Sequence, residues 1–181
     1  MASRTFTITG IVIKRSNTGE TDRIVTLLSQ EFGKIVCVAK GVRSLHSSKR
    51  ASLEPGNIVR AFCVANHSLP IITQATLLSD TADSRESLKM MRQISQFLEI
   101  IDALFVEEEI EESFFTQIIT LRNLIVVGGA TVTDIRSGFE EILVQLGYHD
   151  PIERLESIIE KVSEVSQRHI HSYEYLVVKP H

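Results

Sequence analysis

Apolar and polar residues alternate through the first eighty residues, in five short segments separated by turn-forming residues. This period of two predicts β-strands at 5–14, 23–29, 34–42, 57–65 and 71–78. Gly10, inside the first segment, suits a bulge or a sharp bend. The polar, basic stretch 43–52 is predicted to be an exposed loop. Five short strands with one long connection between the third and fourth favour an OB-type barrel, and an SH3-like barrel is the nearest alternative.

The spacing of apolar residues changes to three or four after Asp80, which predicts α-helices. Four apolar stripes follow, at 88–105, 114–125, 135–146 and 155–165. Candidate caps at the helix starts are Asp83 or Ser84, Thr131 with Asp134 in a capping box, and Asp150 with Pro151. The acidic run 107–112 is predicted to be a solvated connection. The chain is thus predicted to be an α+β protein, with an OB-fold domain at 1–80 and a helical domain at 81–181.

The net charge of −4 conceals an asymmetry between the two predicted domains. Residues 1–80 hold ten basic and five acidic side chains, whereas the rest of the chain holds nine basic and eighteen acidic ones. A basic half of this kind is expected to meet a polyanion. The acidic half is expected either to keep nucleic acid off its own surface or to meet a different partner.

The residues that carry chemistry in enzymes and metal proteins do not form a recognisable motif here. Cys37 and Cys63 are far apart, lie in strand-like runs without a CxxC pair, and are predicted to be buried free thiols. His169 and His171 are predicted to be surface or cap residues on different faces of a helix. The longest apolar runs are far too short to span a bilayer, and the N-terminus lacks the pattern of a secretion signal. We therefore expect a cytoplasmic protein without a cofactor, a metal or catalytic residues.

The basic residues of the N-terminal half fall at predicted strand ends or in loops, where they can gather on one side of a barrel and neutralise phosphates. The alternative for each of them is that it solvates an edge of the sheet. Aromatic residues are scarce, since residues 1–80 contain only Phe6, Phe32 and Phe62 and no Tyr or Trp. Phosphate contacts rather than base stacking are therefore expected to dominate, so that single- and double-stranded DNA both bind with a steep salt dependence.

Several short motifs, in a fixed order over about seventy residues, together resemble the N-terminal domain of the RecO family. They are GIVIK at 10–14, GETDRIVTL at 19–27, FGKI at 32–35, VAKGVR at 38–43, LEPG at 53–56 and ITQA at 72–75. The helical part is similar mainly in layout, through Leu146-Gly147-Tyr148 at the end of a helix. Many RecO proteins carry a cysteine zinc module after the position of Tyr148, where this chain has Asp150-Pro151-Ile152-Glu153. The resemblance is therefore to a short, zinc-free member.

The resemblance implies a DNA-binding recombination mediator that anneals complementary strands and performs no covalent catalysis. Its implied partners are DNA, a RecR-like protein, the single-stranded-DNA-binding protein and the recombinase RecA, which it helps to load. Matching the motifs residue by residue gives candidate DNA contacts at Lys14, Arg15, Arg23, Lys34, Lys40 and Arg43. The composition of the 43–50 loop adds Lys49 and Arg50.

Three alternatives stay open on the sequence alone. Arg23 lies next to Asp22 and near Glu20, so a structural ion pair is an alternative to its DNA contact. A protein-interaction adaptor, working through the acidic helical domain, is the main alternative for the whole chain. An enzyme is the third possibility, and turnover of a nucleotide or nucleic acid would support it.

Overall fold

The computed structural model of the chain describes residues 4–44, 47, 49–82, 87–106, 108–148 and 155–171. The chain divides into two compact units. The first combines Met1–Thr81 with Phe105–Ile110, and the second combines Ala82–Leu104 with Glu111–His181. A five-stranded sheet followed by helices confirms the predicted α+β class. The division into domains 1–80 and 81–181 stays a prediction.

The first unit is a closed barrel of five strands. They are β1 (Thr5–Thr18), β2 (Asp22–Ser29), β3 (Gly33–Ala39), β4 (Ile58–Val64) and β5 (Ile71–Ser79). Neighbours follow the order β1-β2-β3-β5-β4, and β4 pairs with β1 to close the barrel. β3 and β5 meet in the parallel pairing of Val38 with Ile71. This arrangement confirms the OB-type prediction over the SH3-like alternative.

Alternate side chains of the strands fill the interior of the barrel. Ile8, Val25 and Leu27 have no exposed surface there, as the period of two predicts. Cys37 and Cys63 lie in the same core as buried free thiols, which confirms that prediction. A hydrogen bond with Cys63, together with burial, raises the pKa of Cys37 well above its ordinary range, so this thiol stays protonated.

The first strand is longer than its sequence indicates, and its register shifts at a different position. β1 continues to Thr18, and its register with β2 shifts between Val12 and Lys14. The expectation of a bulge at Gly10 was therefore wrong. Gly10 pairs regularly on both sides and is needed for another reason, because a Cβ atom there would collide with the carbonyl of Leu28.

The second part of the connection between β3 and β4, residues 49–57, is more ordered than an exposed loop. It contains a one-turn helix, α1 (Lys49–Ser52), and Leu53 beyond it has no exposed surface. Asn57, which is 1% exposed, donates its side-chain amide to the carbonyls of Ala51 and Ser52, both at 3.0 Å. Its side-chain oxygen accepts from the backbone N–H of Thr81 at 3.1 Å. The connection is thus fixed to the chain that follows β5.

The second unit contains α2 (Leu88–Leu104), α3 (Glu112–Val126), α4 (Val132–Gln145) and α5 (Leu155–Ser166). Thr131 and Asp134 form the predicted capping box of α4. The predicted caps at 83–84 and 150–151 lie outside the described residues. His169 and His171 follow the end of α5 instead of lying on two of its faces, and their rings meet edge to face with centroids 4.9 Å apart.

The segment Phe105–Ile110 belongs to the barrel although it follows a helix of the second unit. Within the predicted acidic connection, Glu108 and Glu109 are exposed, whereas Ile110 is only 6% exposed. The N–H of Lys34 donates to the carbonyl of Val106, and the N–H of Ile110 donates to the carbonyl of Gln30, both at 2.8 Å. Because these backbone bonds join it to the turn after β2 and to the start of β3, the segment is a part of the barrel rather than only a solvated connection.

Candidate nucleic-acid interface

The strand register brings most of the predicted DNA-binding residues to one end of the barrel. β1 and β3 finish there and β2 begins, since Thr18 pairs with Asp22 and Arg23 pairs with Ala39. The connection with α1 starts from the same end. We call this region the basic end and define it by Arg15, Arg23, Lys40, Arg43, Lys49 and Arg50.

Lys14 and Lys34 do not lie in this group. Lys14 pairs with Thr26, in the middle of β2. Lys34 is farther still from the basic end. It pairs with Leu28, five residues along β2 from Arg23, which corresponds to a separation of roughly 17 Å along the strand. Its neighbour is the segment that carries the exposed Glu108, and its own backbone N–H is bonded to Val106. Lys14 and Lys34 therefore stay predicted DNA contacts that the structure sets apart from the other six.

Arg43 connects the β3–β4 connection to the turn between β1 and β2. Its guanidinium donates to the carbonyl of Gly19 at 3.3 Å, and its backbone N–H donates to the carbonyl of Thr21 at 2.9 Å. The carboxylate of Asp22 accepts from the N–H of Gly41 at 2.8 Å. These contacts of Arg43 hold the two loops together. Because Arg43 is exposed, part of its guanidinium also stays available to a phosphate.

Lys49 has a contact set that its exposed neighbour Arg50 lacks. The Lys49 ammonium donates to the carbonyl of Lys40 at 3.1 Å and to that of Ile72 at 3.3 Å. These bonds use two of its three donors to join α1 to β5 and to the end of β3. Arg50 and Lys40 are both exposed, and neither makes an ion pair among the described residues. The structure thus separates a cation that fixes the loop from two that the loop presents.

Arg15 and Arg23 share one carboxylate, that of Glu54. Arg15 contacts Glu54 Oε2 through its Nε at 3.0 Å and through a terminal nitrogen at 2.8 Å, while Arg23 reaches Glu54 Oε1 at 3.2 Å. Arg23 also donates to the side chain of Asn17 at 3.4 Å. The Arg23 side chain is only 6% exposed, so little of its guanidinium faces solvent. An ion pair was one of its two predicted roles, and the partner is Glu54 rather than Asp22 or Glu20.

The role of Glu54 was missed from the sequence. Glu54 lies 39 residues from Arg15 and 31 from Arg23, so no strand or helix periodicity connects them. The motif at 53–56 places Glu54 in a family-like stretch but does not indicate a partner. Even with Glu20, Asp22 and Glu54 counted, the six cations leave the basic end positively charged.

The described part of the chain shows no metal site and no membrane helix. Among those residues, no group of three or more His, Cys, Asp or Glu side chains is arranged to hold a metal ion. None of the described helices is both long and apolar enough to cross a bilayer.

Comparison with known proteins points to one family. The family model for the recombination protein O N-terminal domain matches residues 1–80, the span that contains the barrel strands. The DNA repair protein RecO of Pelotomaculum thermopropionicum is 31% identical over 145 residues, which cover 80% of this chain and 56% of the relative. The DNA repair protein RecO of Symbiobacterium thermophilum is 30% identical over 119 residues, which cover 66% of this chain and 47% of the relative. The DNA repair protein RecO of Bifidobacterium longum is 44% identical over 66 residues, which cover 36% of this chain and 28% of the relative.

These matches agree with the fold and with the order of the motifs. The chain spans about half the length of the relatives that it matches over most of its own residues. The barrel is the part that the family model covers. The chain therefore belongs to the RecO family, and its residues 1–80 match the model of that family's N-terminal domain.

Proposed function

We propose that this chain binds DNA through the basic end of its barrel and acts in recombinational DNA repair. The observation that carries the proposal is the convergence of six cations, from β1, β2 and the β3–β4 connection, at one end of an OB-type barrel. Such a cluster binds phosphates and releases their counterions without reading the bases. Similarity to proteins named DNA repair protein RecO supports the same assignment.

We also propose a specific role in repair. The chain anneals complementary strands and, together with a RecR-like protein, helps to load RecA onto single strands coated by the single-stranded-DNA-binding protein. Annealing requires a surface that screens phosphate repulsion and leaves base edges able to pair. The basic end fits that requirement because its side chains are Arg and Lys, which contact phosphates, and it contains no aromatic ring. The proposed activity involves no covalent chemistry.

The test is a fluorescence-anisotropy titration of labelled single- and double-stranded oligonucleotides over a series of salt concentrations. The informative variant is K40A/R50A, because both side chains are exposed and neither takes part in an ion pair described above. Loss of two phosphate contacts should lower the slope of log K against log salt by nearly two for duplex DNA. The matched control, K89A/R92A, removes the same charge from α2 and should leave the slope unchanged.

The outcomes separate the proposal from its alternative. A steep salt dependence that falls in K40A/R50A supports the basic end and justifies an annealing assay with complementary strands. Absence of binding at low salt contradicts the proposal. An equal loss of slope in both variants would show that affinity follows net charge and not the basic end.

A protein-interaction adaptor remains the second candidate, and one feature of the helical unit favours it. A groove of about 310 Å³ between α2 and α4 is lined by the exposed Leu88 and Val132 and by the buried Gln96. The amide nitrogen of Gln96 makes no hydrogen bond within the described residues. If the helical unit binds a protein partner there, L88S/V132S should weaken binding to purified single-stranded-DNA-binding protein and leave direct DNA affinity unchanged. The adaptor candidate fails if that partner binding is unaffected.

A further inference from the structure

The outward face of β4 and its two neighbours carries an arrangement that the basic end does not explain. Phe62 pairs with Thr7 of β1 and with Gln74 of β5, and Arg60 pairs with Thr9 and Thr76. Directly paired residues lie on the same side of a sheet, so these side chains share one surface. We call it the β4 face and define it by Thr7, Thr9, Arg60, Phe62, Gln74 and Thr76.

Phe62 differs from the other two phenylalanines of the barrel. Phe6 and Phe32 pack against the core, with their ring centroids 5.2 Å apart. Phe62 is 40% exposed and follows the outward-facing, exposed Arg60 by two residues along β4. The scarcity of aromatic residues argued against base stacking as the main source of affinity, but this ring is placed where a base could reach it.

The charge of the β4 face suits a polyanion. The three sequence stretches that build it, 4–9, 58–65 and 71–79, contain no Asp or Glu, although the chain as a whole carries a net charge of −4. Arg60 supplies a cation, and the threonines and Gln74 supply hydrogen-bond donors for phosphate or sugar oxygens. An exposed aromatic ring flanked by a cation and neutral polar groups is the arrangement that binds single strands by stacking.

The strands that usually bind ligands in OB folds are less suitable in this barrel. In that fold the β2–β3 face and adjoining loops bind oligonucleotides. Here Ile24 of β2 and Val36 and Val38 of β3 are half-buried, and Leu28 has no exposed surface. Those apolar positions offer no stacking ring, and the cation beside them is Lys34, which pairs with the buried Leu28. The β4 face offers an exposed ring and a cation together.

We propose that the β4 face is a second nucleic-acid surface, on which a base of a single strand stacks against Phe62 while Arg60 contacts the adjoining phosphate. This inference rests on the proposed DNA-binding function and adds a different chemistry to it. The basic end contacts phosphates in either form of DNA. The β4 face binds unpaired bases, because the faces of paired bases are already covered by their neighbours in a duplex.

The first measurement compares single-strand and duplex affinity in F62L, F62Y and wild type. F62L keeps an apolar side chain in the strand and removes the aromatic face, and F62Y retains that face. Loss of one base–aromatic stack should weaken single-strand binding about tenfold, and should leave duplex affinity and the salt slope unchanged. F62Y should bind as wild type does. L124A is the matched control, since Leu124 of α3 is also 40% exposed.

A second measurement identifies the contact directly. Irradiation of the full chain with a single strand containing 5-iododeoxyuridine should crosslink the peptide that contains Phe62, and R60A should reduce the yield. Equal single-strand affinity in F62L and wild type overturns the inference. If K40A/R50A still lowers the salt slope in that case, the proposed DNA-binding function survives.

Two further outcomes would also overturn the β4 face as a DNA surface. Equal losses of single-strand and duplex affinity in F62L would indicate a structural effect rather than stacking. A fall in molecular mass in solution for F62L, with unchanged DNA affinity, would assign the face to contact with a second copy of the chain.

Discussion

Glu54 is expected to organise the basic end, and E54Q tests this without changing the size of the side chain. The carboxylate lies 3.2 Å from Arg23 and 2.8 Å from Arg15. Removal of its charge leaves the Arg23 guanidinium, whose side chain is only 6% exposed, without its anionic partner. Breaking a fully buried pair in this way costs about 3–5 kcal/mol.

The expected loss for E54Q is smaller than for a fully buried pair. The Glu54 side chain is 22% exposed and that of Arg15 is 30% exposed, so solvent screens part of the interaction. We expect a loss of about 2–3 kcal/mol in the free energy of unfolding, which corresponds to a fall of roughly 5–10 °C in Tm for a chain of this size. The assay is thermal and urea denaturation followed by circular dichroism.

A double-mutant cycle with R23M shows whether the effect belongs to the pair. R23M removes the buried charge and leaves Glu54 paired with Arg15, so the loss in E54Q/R23M should fall short of the sum of the single losses by more than about 1 kcal/mol. Additive losses, or a loss below about 0.5 kcal/mol for E54Q, would refute the reasoning. The DNA salt slope of R23M adds a second readout, since a structural arginine should leave it unchanged and a phosphate contact should lower it by about one.

Three further predictions concern stability. G33A should lower the free energy of unfolding by roughly 2–4 kcal/mol, because Gly33 has a φ of +57° and a Cβ atom there would collide with the backbone of Glu108. Faster amide exchange at Lys34 and Ile110 would show that the segment Phe105–Ile110 detaches from the barrel. N57A should cost about 2–4 kcal/mol in urea denaturation, because the buried N–H of Thr81 and two carbonyls lose their partner. T131A should cost about 1 kcal/mol at pH 7, because the N-cap of α4 is lost. Hydrogen bonds from Thr131 lower the pKa of Asp134 below 3.8, so the ionised form stabilises the fold above that value, and the T131A loss should shrink as the pH falls below it.

The barrel strands and helices were predictable from the sequence because their cause is local. Burial of alternate side chains between Thr5 and Ser79, and of every third or fourth one from Leu88 onward, leaves a periodic pattern. The capping box of Thr131 and Asp134 was predictable for the same reason, since its two residues are three apart. Each of these features depends on neighbours within one turn or one strand.

The contacts that were missed join residues far apart along the chain. Glu54 contacts arginines that lie 31 and 39 residues away along the chain. Val106 accepts from the backbone N–H of Lys34, which is also far from it in the sequence. A periodic pattern of apolar residues indicates neither contact. A choice between a structural and a DNA-binding role for Arg23 depends on how much of its side chain is exposed, and a sequence does not give that quantity. Phe62 was counted as one of three phenylalanines, and only the register showed that it shares a face with Arg60 instead of filling the core.

The cations of the basic end divide by what they contact, and this division explains how a loop can present charge with defined geometry. Lys49 donates to two carbonyls, Arg43 joins the neighbouring turn, and the Glu54 carboxylate holds Arg15 and Arg23. These bonds fix the connection from which Arg50 and Lys40 project into solvent. Because these contacts are already made before DNA arrives, part of the entropy cost of binding is removed. The anchoring residues should therefore affect DNA affinity mainly through stability, and the projecting ones mainly through the salt slope.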